Sequence, residues 1–252
     1  MELTVLGAGT AVPSPGRSPA GYLVRAGGSP LLFDLGPGTL ARLAMAGVSH
    51  RELGRVFISH LHSDHVLDLV TLLQASNATP GWKREAPLEL YGCQGLAHLV
   101  SQVIAAFDGT TPDTFALRVV ELGTERRDLG GFTVETALTA HTETSLAFRV
   151  EAEGQTIVYS GDAIETPALM RLARGADAFV CECSFPRGWR TQDHVTADGA
   201  GRMAQAAAAQ RLVLSHLYPP AQEADVAGQA QAEYEGEVLV AVDGTVVNLR
   251  AR

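Results

Sequence analysis

The window His60-Leu61-His62-Ser63-Asp64-His65 gathers three of the chain's eight histidines and an aspartate into six residues. It follows an apolar run, 55–59, that reads as a strand, and precedes 66–75, where apolar residues recur at helical spacing. In extended backbone, residues two apart point the same way, so His60 and His62 can grip one cation. Asp64 and His65, past the turn, can reach a second cation beside it. Imidazole with carboxylate suits Zn, Mn or Fe(II) better than Ca or Mg. A solvated histidine-rich loop would contain the same residues. However, three later strand ends each deliver another ligand type: His141 after Leu138-Thr139-Ala140, Asp162 in Ser160-Gly161-Asp162, and His216 in Leu214-Ser215-His216. Singly, each would ordinarily be a satisfied polar residue in a turn. Together the seven donors suffice for two cations that share one carboxylate and leave a bridging position open.

Donors so far apart in sequence need a framework that brings strand ends together. Residues 2–6, 21–25 and 31–35 read as strands, the first two separated by a loop rich in Pro and Gly. A helix is expected over 39–46, closed by Gly47, and Ser49-His50-Arg51-Glu52 fits a capping box. After the 66–75 helix come a loop at 76–87, a strand at 88–91, a helix at 96–107 and a polar loop at 108–114. Short strands recur from 117 to 159, with turn signals at Gly130-Gly131 and Glu153-Gly154. Helix 167–174, strand 178–183 and helix 197–209 then alternate. Strands then helices, twice over, predict an α/β fold: a four-layer αββα sandwich of two mixed β-sheets flanked by helices. With no linker-like stretch, residues 1–252 read as one domain.

Composition agrees with a globular chain: 46% of the residues are hydrophobic and 19% charged, with 26 glycines and 12 prolines. A net charge of -9 repels a phosphate backbone at long range and argues against nucleic acid as a partner. The start, Met1 to Gly7, lacks the basic flank and apolar length of a signal peptide, and no stretch is long enough to span a bilayer, so a soluble cytoplasmic protein is expected. Cys93, Cys181 and Cys183 read as reduced thiols, because three cannot all pair and two are nearly adjacent.

Several segments resemble the metallo-β-lactamase superfamily, within it the ribonuclease Z branch and its shorter relatives. They are Leu6-Gly7-Ala8-Gly9-Thr10-Ala11-Val12-Pro13, Leu32-Phe33-Asp34-Leu35-Gly36-Pro37-Gly38-Thr39, the window at 60–65, Pro87-Leu88-Glu89-Leu90-Tyr91-Gly92, and Asp243-Gly244. The resemblance implies that His60, His62 and His141 hold one metal, Asp64, His65 and His216 the other, and that Asp162 bridges them. It further implies two divalent ions, Zn foremost, and a homodimer. His194-Val195-Thr196 looks like the family's His-x-Thr segment, which implies a catalytic role for His194 and for Glu182. Strand alternation turns Glu182 away from Cys181 and Cys183, so the acid can approach the site and orient His194. A histidine so held is suited to protonating a leaving alkoxide, and Asp64 could guide the proton of the attacking water.

Sites of this kind cleave phosphodiesters, β-lactams, thioesters and lactones on related folds, so the fold alone does not select a substrate. The His194 and Glu182 pair leans toward phosphodiesters. In the ribonuclease Z branch a tRNA-gripping arm lies between the ligands matching His141 and Asp162; here only 21 positions separate them, filled by two short strands. With the acidic balance, this interval favours a small or cyclic phosphodiester over precursor tRNA. The alternatives are a tRNA 3′-processing endonuclease, a carbon-centred hydrolase of thioesterase, lactonase or β-lactamase type, and a catalytically silent binding module. Gly7-Ala8-Gly9 is not read as a dinucleotide fingerprint, since Val12 takes the third glycine's place and Pro13 blocks a helix. His50 and His98 read as structural or solvated. Trp82, Lys83 and Arg84, with the stretch from Phe107 to Phe115, are candidates for a pocket mouth or dimer contact.

Overall fold

The computed structural model describes residues 1–249. Its first half runs β1 (Glu2–Gly7), β2 (Gly21–Ala26), β3 (Ser29–Phe33), α1 (Thr39–Met45), β4 (Arg55–Ile58), α2 (Ser63–Val66), α3 (Leu69–Ala78), β5 (Leu88–Gly92), α4 (Leu96–Ala106) and β6 (Leu117–Glu121). The second half runs β7 (Arg126–Asp128), β8 (Thr133–Leu138), β9 (Leu146–Ala152), β10 (Gln155–Tyr159), α5 (Pro167–Leu172), β11 (Ala178–Glu182), α6 (Ala197–Ala207), β12 (Arg211–Ser215), α7 (Pro219–Gln222), α8 (Val226–Gln231), β13 (Glu237–Val240) and β14 (Val246–Asn248).

The strands form two seven-stranded sheets, ordered β14-β1-β2-β3-β4-β5-β6 and β13-β12-β11-β10-β9-β8-β7. In the first, pairing is antiparallel from β14 to β3 and parallel from β3 to β6. The second repeats this pattern, antiparallel from β7 to β10 and parallel from β10 to β13. Alternation along each strand sorts its side chains between two cores. Phe57 on β4 faces the other sheet, whereas Val56 and Ile58 face the helices. Between the sheets Phe33 stacks on Phe57 at 4.8 Å and meets Phe148 edge-on at 5.5 Å. On β11, Ala178 and Val180 face inward, while Phe179 and Cys181, with Cys183 just past the strand, join the outer core under α5, α6 and α8. Helix, sheet, sheet and helix thus make the four layers read from the sequence. Small residues let the outer helices close in: a Cβ on Gly201 of α6 would lie 2.4 Å from the Ala230 carbonyl of α8.

Local departures from the sequence reading have local causes. The helix expected at 66–75 is two helices, α2 and α3, broken because the Asp68 amide bonds to the Leu35 carbonyl while the Asp68 carboxylate accepts from Leu40 N. The loop expected from 76 consequently begins after Ala78. The capping box is half made: Glu52 accepts from Ser49 N at 2.7 Å, but the Ser49 hydroxyl accepts from Arg51 N, and the motif closes a turn rather than opening a helix. The strand expected at 31–35 ends at Phe33, because Asp34 adopts φ 58. The Gly7-Ala8-Gly9 turn serves chain crossing: a Cβ on Gly7 would lie 1.8 Å from the Pro19 carbonyl. All three cysteines are free and buried, and no helix among the described residues is long and apolar enough to cross a membrane.

Candidate metal centre

Because β10, β11 and β12 run parallel, their carboxyl ends lie at one edge of their sheet, and β3 and β4 present theirs from the other sheet. Ile58 is followed by Ser59 and His60; Tyr159, Glu182 and Ser215 lead to Asp162, to Glu182 itself and to His216; His141 follows β8. His60, His62, His141 and Asp162 form one group of mutually close donor atoms, and Asp64, His65 and His216 another. Asp162 stands between them. One of its oxygens, Oδ2, lies 3.7 Å from His60 Nε2 and from His141 Nε2. The other, Oδ1, lies 3.3 Å from His65 Nε2 and from His216 Nε2. Asp64 Oδ2 completes the second group, 3.5 Å from His216 Nε2 and 3.7 Å from His65 Nε2.

The donor set fits divalent cations. Two nitrogens held tetrahedrally at about 2.0–2.1 Å from zinc stand about 3.3 Å apart. His65 Nε2 and His216 Nε2 are 3.3 Å apart, and His141 Nε2 and His62 Nδ1 are 3.2 Å apart. Among the described residues, His60 Nε2 and Asp162 Oδ1 are buried without a hydrogen bond, an arrangement that costs free energy unless a cation takes up the lone pairs. Burial and the neighbouring imidazoles push His60 down to about 2, which keeps it the neutral donor a metal requires. Burial opposes charge on Asp64, but His216 and His65 outweigh it and hold the carboxyl at about 2, ionised and ready to ligate.

In four of the five rings, those of His60, His65, His141 and His216, the second nitrogen is anchored, which fixes the ring's orientation. His65 Nδ1 lies 2.7 Å from Asp34 Oδ2, His141 Nδ1 donates to the Asp193 carbonyl at 2.7 Å, His60 Nδ1 is 3.0 Å from Ser59 Oγ, and His216 Nδ1 is 3.2 Å from Ser184 Oγ. Asp34 is fully buried and also accepts from Ser59 N, Ser59 Oγ and Tyr159 OH at 2.6–2.7 Å. The sequence patterns did not single out these supporting residues. Asp34 carried one signal, a charge at the end of an apolar run. The backbone is tense here: Asp34, Ala140, Gly161 and His216 all have φ between 56 and 62, which for the non-glycines costs about 1–3 kcal/mol each.

Glu182 and His194 meet as the resemblance implies. The buried carboxylate lies 3.1 and 3.2 Å from His194 Nδ1, and it accepts from Ala163 N at 2.6 Å and Ser184 Oγ at 2.5 Å. The His194 ring lies 4.8 Å from that of His141, tilted by 43°, and belongs with Asp162 and His216 to a further cluster of close donors. Burial opposes its charge, yet Glu182 lifts it to about 9, which favours the protonated ring with Nδ1 held by the carboxylate.

The 76–87 loop lies elsewhere. Arg84 donates to the Leu53 and His50 carbonyls just before β4, while the histidine window lies past that strand's other end. Trp82 packs on His50 and Arg84. The segment is therefore structural and does not form the mouth of the site. His50 also bonds to Thr79, and His98 is an exposed residue of α4.

A four-layer sandwich with two apposed His/Asp donor groups at its strand ends defines a metal-dependent hydrolase. A family model described as the Metallo-beta-lactamase superfamily matches residues 15–214, and the chain belongs to that superfamily, in its ribonuclease Z-like branch. A protein named Ribonuclease Z from Mycobacterium bovis is 32% identical over 271 residues, spanning 96% of each chain. Among solved structures, the metallo-beta-lactamase fold protein YhfI from Bacillus subtilis matches with a TM-score of 0.85 at 25% identity, over 98% of both chains. Human tRNase Z, short form, matches with a TM-score of 0.81 at 25% identity, over 99% of this chain and 100% of that one.

Proposed function

We propose that this hydrolase is a phosphodiesterase acting on a small or cyclic phosphodiester, with residues 1–252 as one catalytic domain. In this reading His60, His62 and His141 hold one cation, Asp64, His65 and His216 hold the other, and Asp162 bridges, with zinc the metal that best suits imidazole and carboxylate donors. Divalent cations bound there would supply Lewis acidity and an acidified water. The chain's own residues do the rest. Asp64 offers an ionised oxygen beside the second group to steer the water's proton. Glu182 holds His194 so that Nε2 can protonate the departing alkoxide, a need of poor leaving groups that thioesters and lactams share less.

The held His194 beside the paired donor groups carries the reading. Its substrate size is supported by β9 and β10, which join through the two-residue turn Glu153-Gly154, with φ 55 and 72, so no arm leaves the body between His141 and Asp162. The net charge of -9 points the same way. The likeness to a Ribonuclease Z and to human tRNase Z favours a second reading, tRNA 3′ processing. Metal-loaded protein assayed on bis-p-nitrophenyl phosphate, a precursor tRNA, a thioester and a β-lactam separates them. Turnover of the small diester with little on the other three is the expected result. Cleavage of precursor tRNA without cleavage of the diester would replace the first reading with the second. The buried free thiols are compatible with a reducing cytoplasm, and the homodimer implied by the resemblance can be measured by light scattering.

A further inference from the structure

Two tyrosines in the core between the sheets reach across to the opposite sheet. Tyr22 on β2 and Tyr159 on β10 are buried, with ring centroids 4.4 Å apart and planes tilted by 42°. Beside them Phe33, Phe57 and Phe148 fill the same layer with plain rings. A hydroxyl in that layer has to find a partner, because burying it unbonded costs free energy, and the partner fixes a direction and a distance. Tyr159 donates from the second sheet to Asp34 Oδ2, past the end of β3, at 2.6 Å, and that same oxygen faces His65 Nδ1 at 2.7 Å. Tyr22 reaches from the first sheet to Ser215 Oγ, at the end of β12, at 2.8 Å, and Ser215 immediately precedes His216, whose φ is 56. His65 and His216 come from opposite halves of the fold, yet their Nε2 atoms are 3.3 Å apart, the spacing one tetrahedral ion requires. The two hydroxyls thus cross the seam in opposite directions, and each ends next to the support of one of the two facing imidazoles.

We propose that Tyr22 and Tyr159 are positioning residues: their hydroxyls set the cross-sheet spacing of His65 and His216 and so preorganise the second donor group for its ion. This rests on the reading of His65 and His216 as ligands and adds what holds them in register. The first donor group has other supports. His60 lies against Ser59 Oγ and His141 against the Asp193 carbonyl, so loss of either tyrosine hydroxyl falls mainly on the second group.

The test titrates zinc, against a chromogenic chelator, into metal-stripped wild type, Tyr22→Phe and Tyr159→Phe. Changes along a packed network shift a coupled affinity by about two- to thirtyfold, so each variant should lose that factor in one of the two stepwise zinc affinities and keep the other. Tyr234→Phe controls for losing a buried tyrosine hydroxyl as such. Tyr234 donates to the Ala209 carbonyl at 2.8 Å in the outer core, and its substitution should lower the Tm of the metal-free protein without moving either zinc affinity. On an Asp34→Asn background Tyr159→Phe should add little, since both act through one carboxylate, whereas Tyr22→Phe should add its full factor. Wild-type affinities in both tyrosine variants, equal losses at both sites, the same zinc loss in Tyr234→Phe, or full additivity of Tyr159→Phe with Asp34→Asn would overturn the proposal. A wild-type protein that takes up no zinc sinks the reading of the centre and this proposal with it, whereas two ions bound by wild type and by both variants alike sink the proposal alone.

Discussion

Replacing Asp34 with Asn removes one charge and changes one atom, in a place where four donors converge on the carboxylate. Oδ2 faces His65 Nδ1, Ser59 Oγ and Tyr159 OH, and Oδ1 faces Ser59 N. With the amide nitrogen in the Oδ2 position, the two hydroxyls can rotate to accept, but the imidazole N–H cannot. His65 must then move its proton to Nε2, the atom that faces Asp162 and His216. With the amide flipped, the nitrogen instead confronts the Ser59 backbone N–H. The first arrangement thus forces the wrong tautomer on His65, and the second sets a donor against a donor at a cost of about 1–3 kcal/mol for a buried unsatisfied group. Loss of such an orienting partner typically weakens metal affinity about 10–100-fold, or about 1.4–2.7 kcal/mol. Asp34→Asn should therefore weaken one of two zinc sites by that factor in a competition titration against a chromogenic chelator, and lower turnover in step at limiting zinc. If both ions bind with wild-type affinity and turnover is unchanged, Asp34 does not set the tautomer of His65.

Stripping metal with a chelator should lower Tm in a calorimetric scan, and adding zinc at about a thousandfold excess over Kd should restore about 4 kcal/mol; an unchanged Tm would mean that the donor groups do not bind ions in the folded state. His194→Ala should slow cleavage of an alkyl diester by about 10²–10⁴-fold while leaving p-nitrophenyl diesters within a few-fold, because nitrophenolate departs without a proton; equal losses would remove His194 from that role. Gly36→Ala would set a Cβ 2.2 Å from the Asp64 carbonyl and 2.8 Å from that of Ala20, so it should cost about 1–3 kcal/mol in urea unfolding, and an unmoved midpoint would show that the backbone there yields freely.

The histidine window was legible because chemistry and spacing coincide in six residues, and His141, Asp162 and His216 because each closes an apolar strand. What escaped depends on long-range partners. Asp34 gains its meaning from Ser59 on the next strand and from Tyr159 across the sandwich, neither of which is marked in the local pattern. The Asp193 carbonyl that anchors His141 is backbone, so no residue type announces it. Glu182 was named through the resemblance, with alternation only setting it opposite two cysteines, and Ser184, which bonds it and neighbours His216, was missed because a serine after a strand looks like any turn. The break between α2 and α3 was likewise invisible: apolar residues recur at helical spacing on both sides of Asp68, and it is the tertiary hydrogen bonds of Asp68 to Leu35 and Leu40 that interrupt the helix.

The repeated pairing pattern of the two sheets divides the candidate ligands as well as the strands. The half built on β1 to β6 carries His60, His62, Asp64 and His65, and the half built on β7 to β13 carries His141, Asp162 and His216. Neither half alone presents a full coordination shell. Capturing ions at such a seam resembles the association of two subunits that a short tether, from Glu121 to Arg126, keeps at high effective concentration. The return of β14 to pair with β1 adds a second tether. Ions bound there would act as rivets, and the free energy of binding them would also hold the two sheets in register.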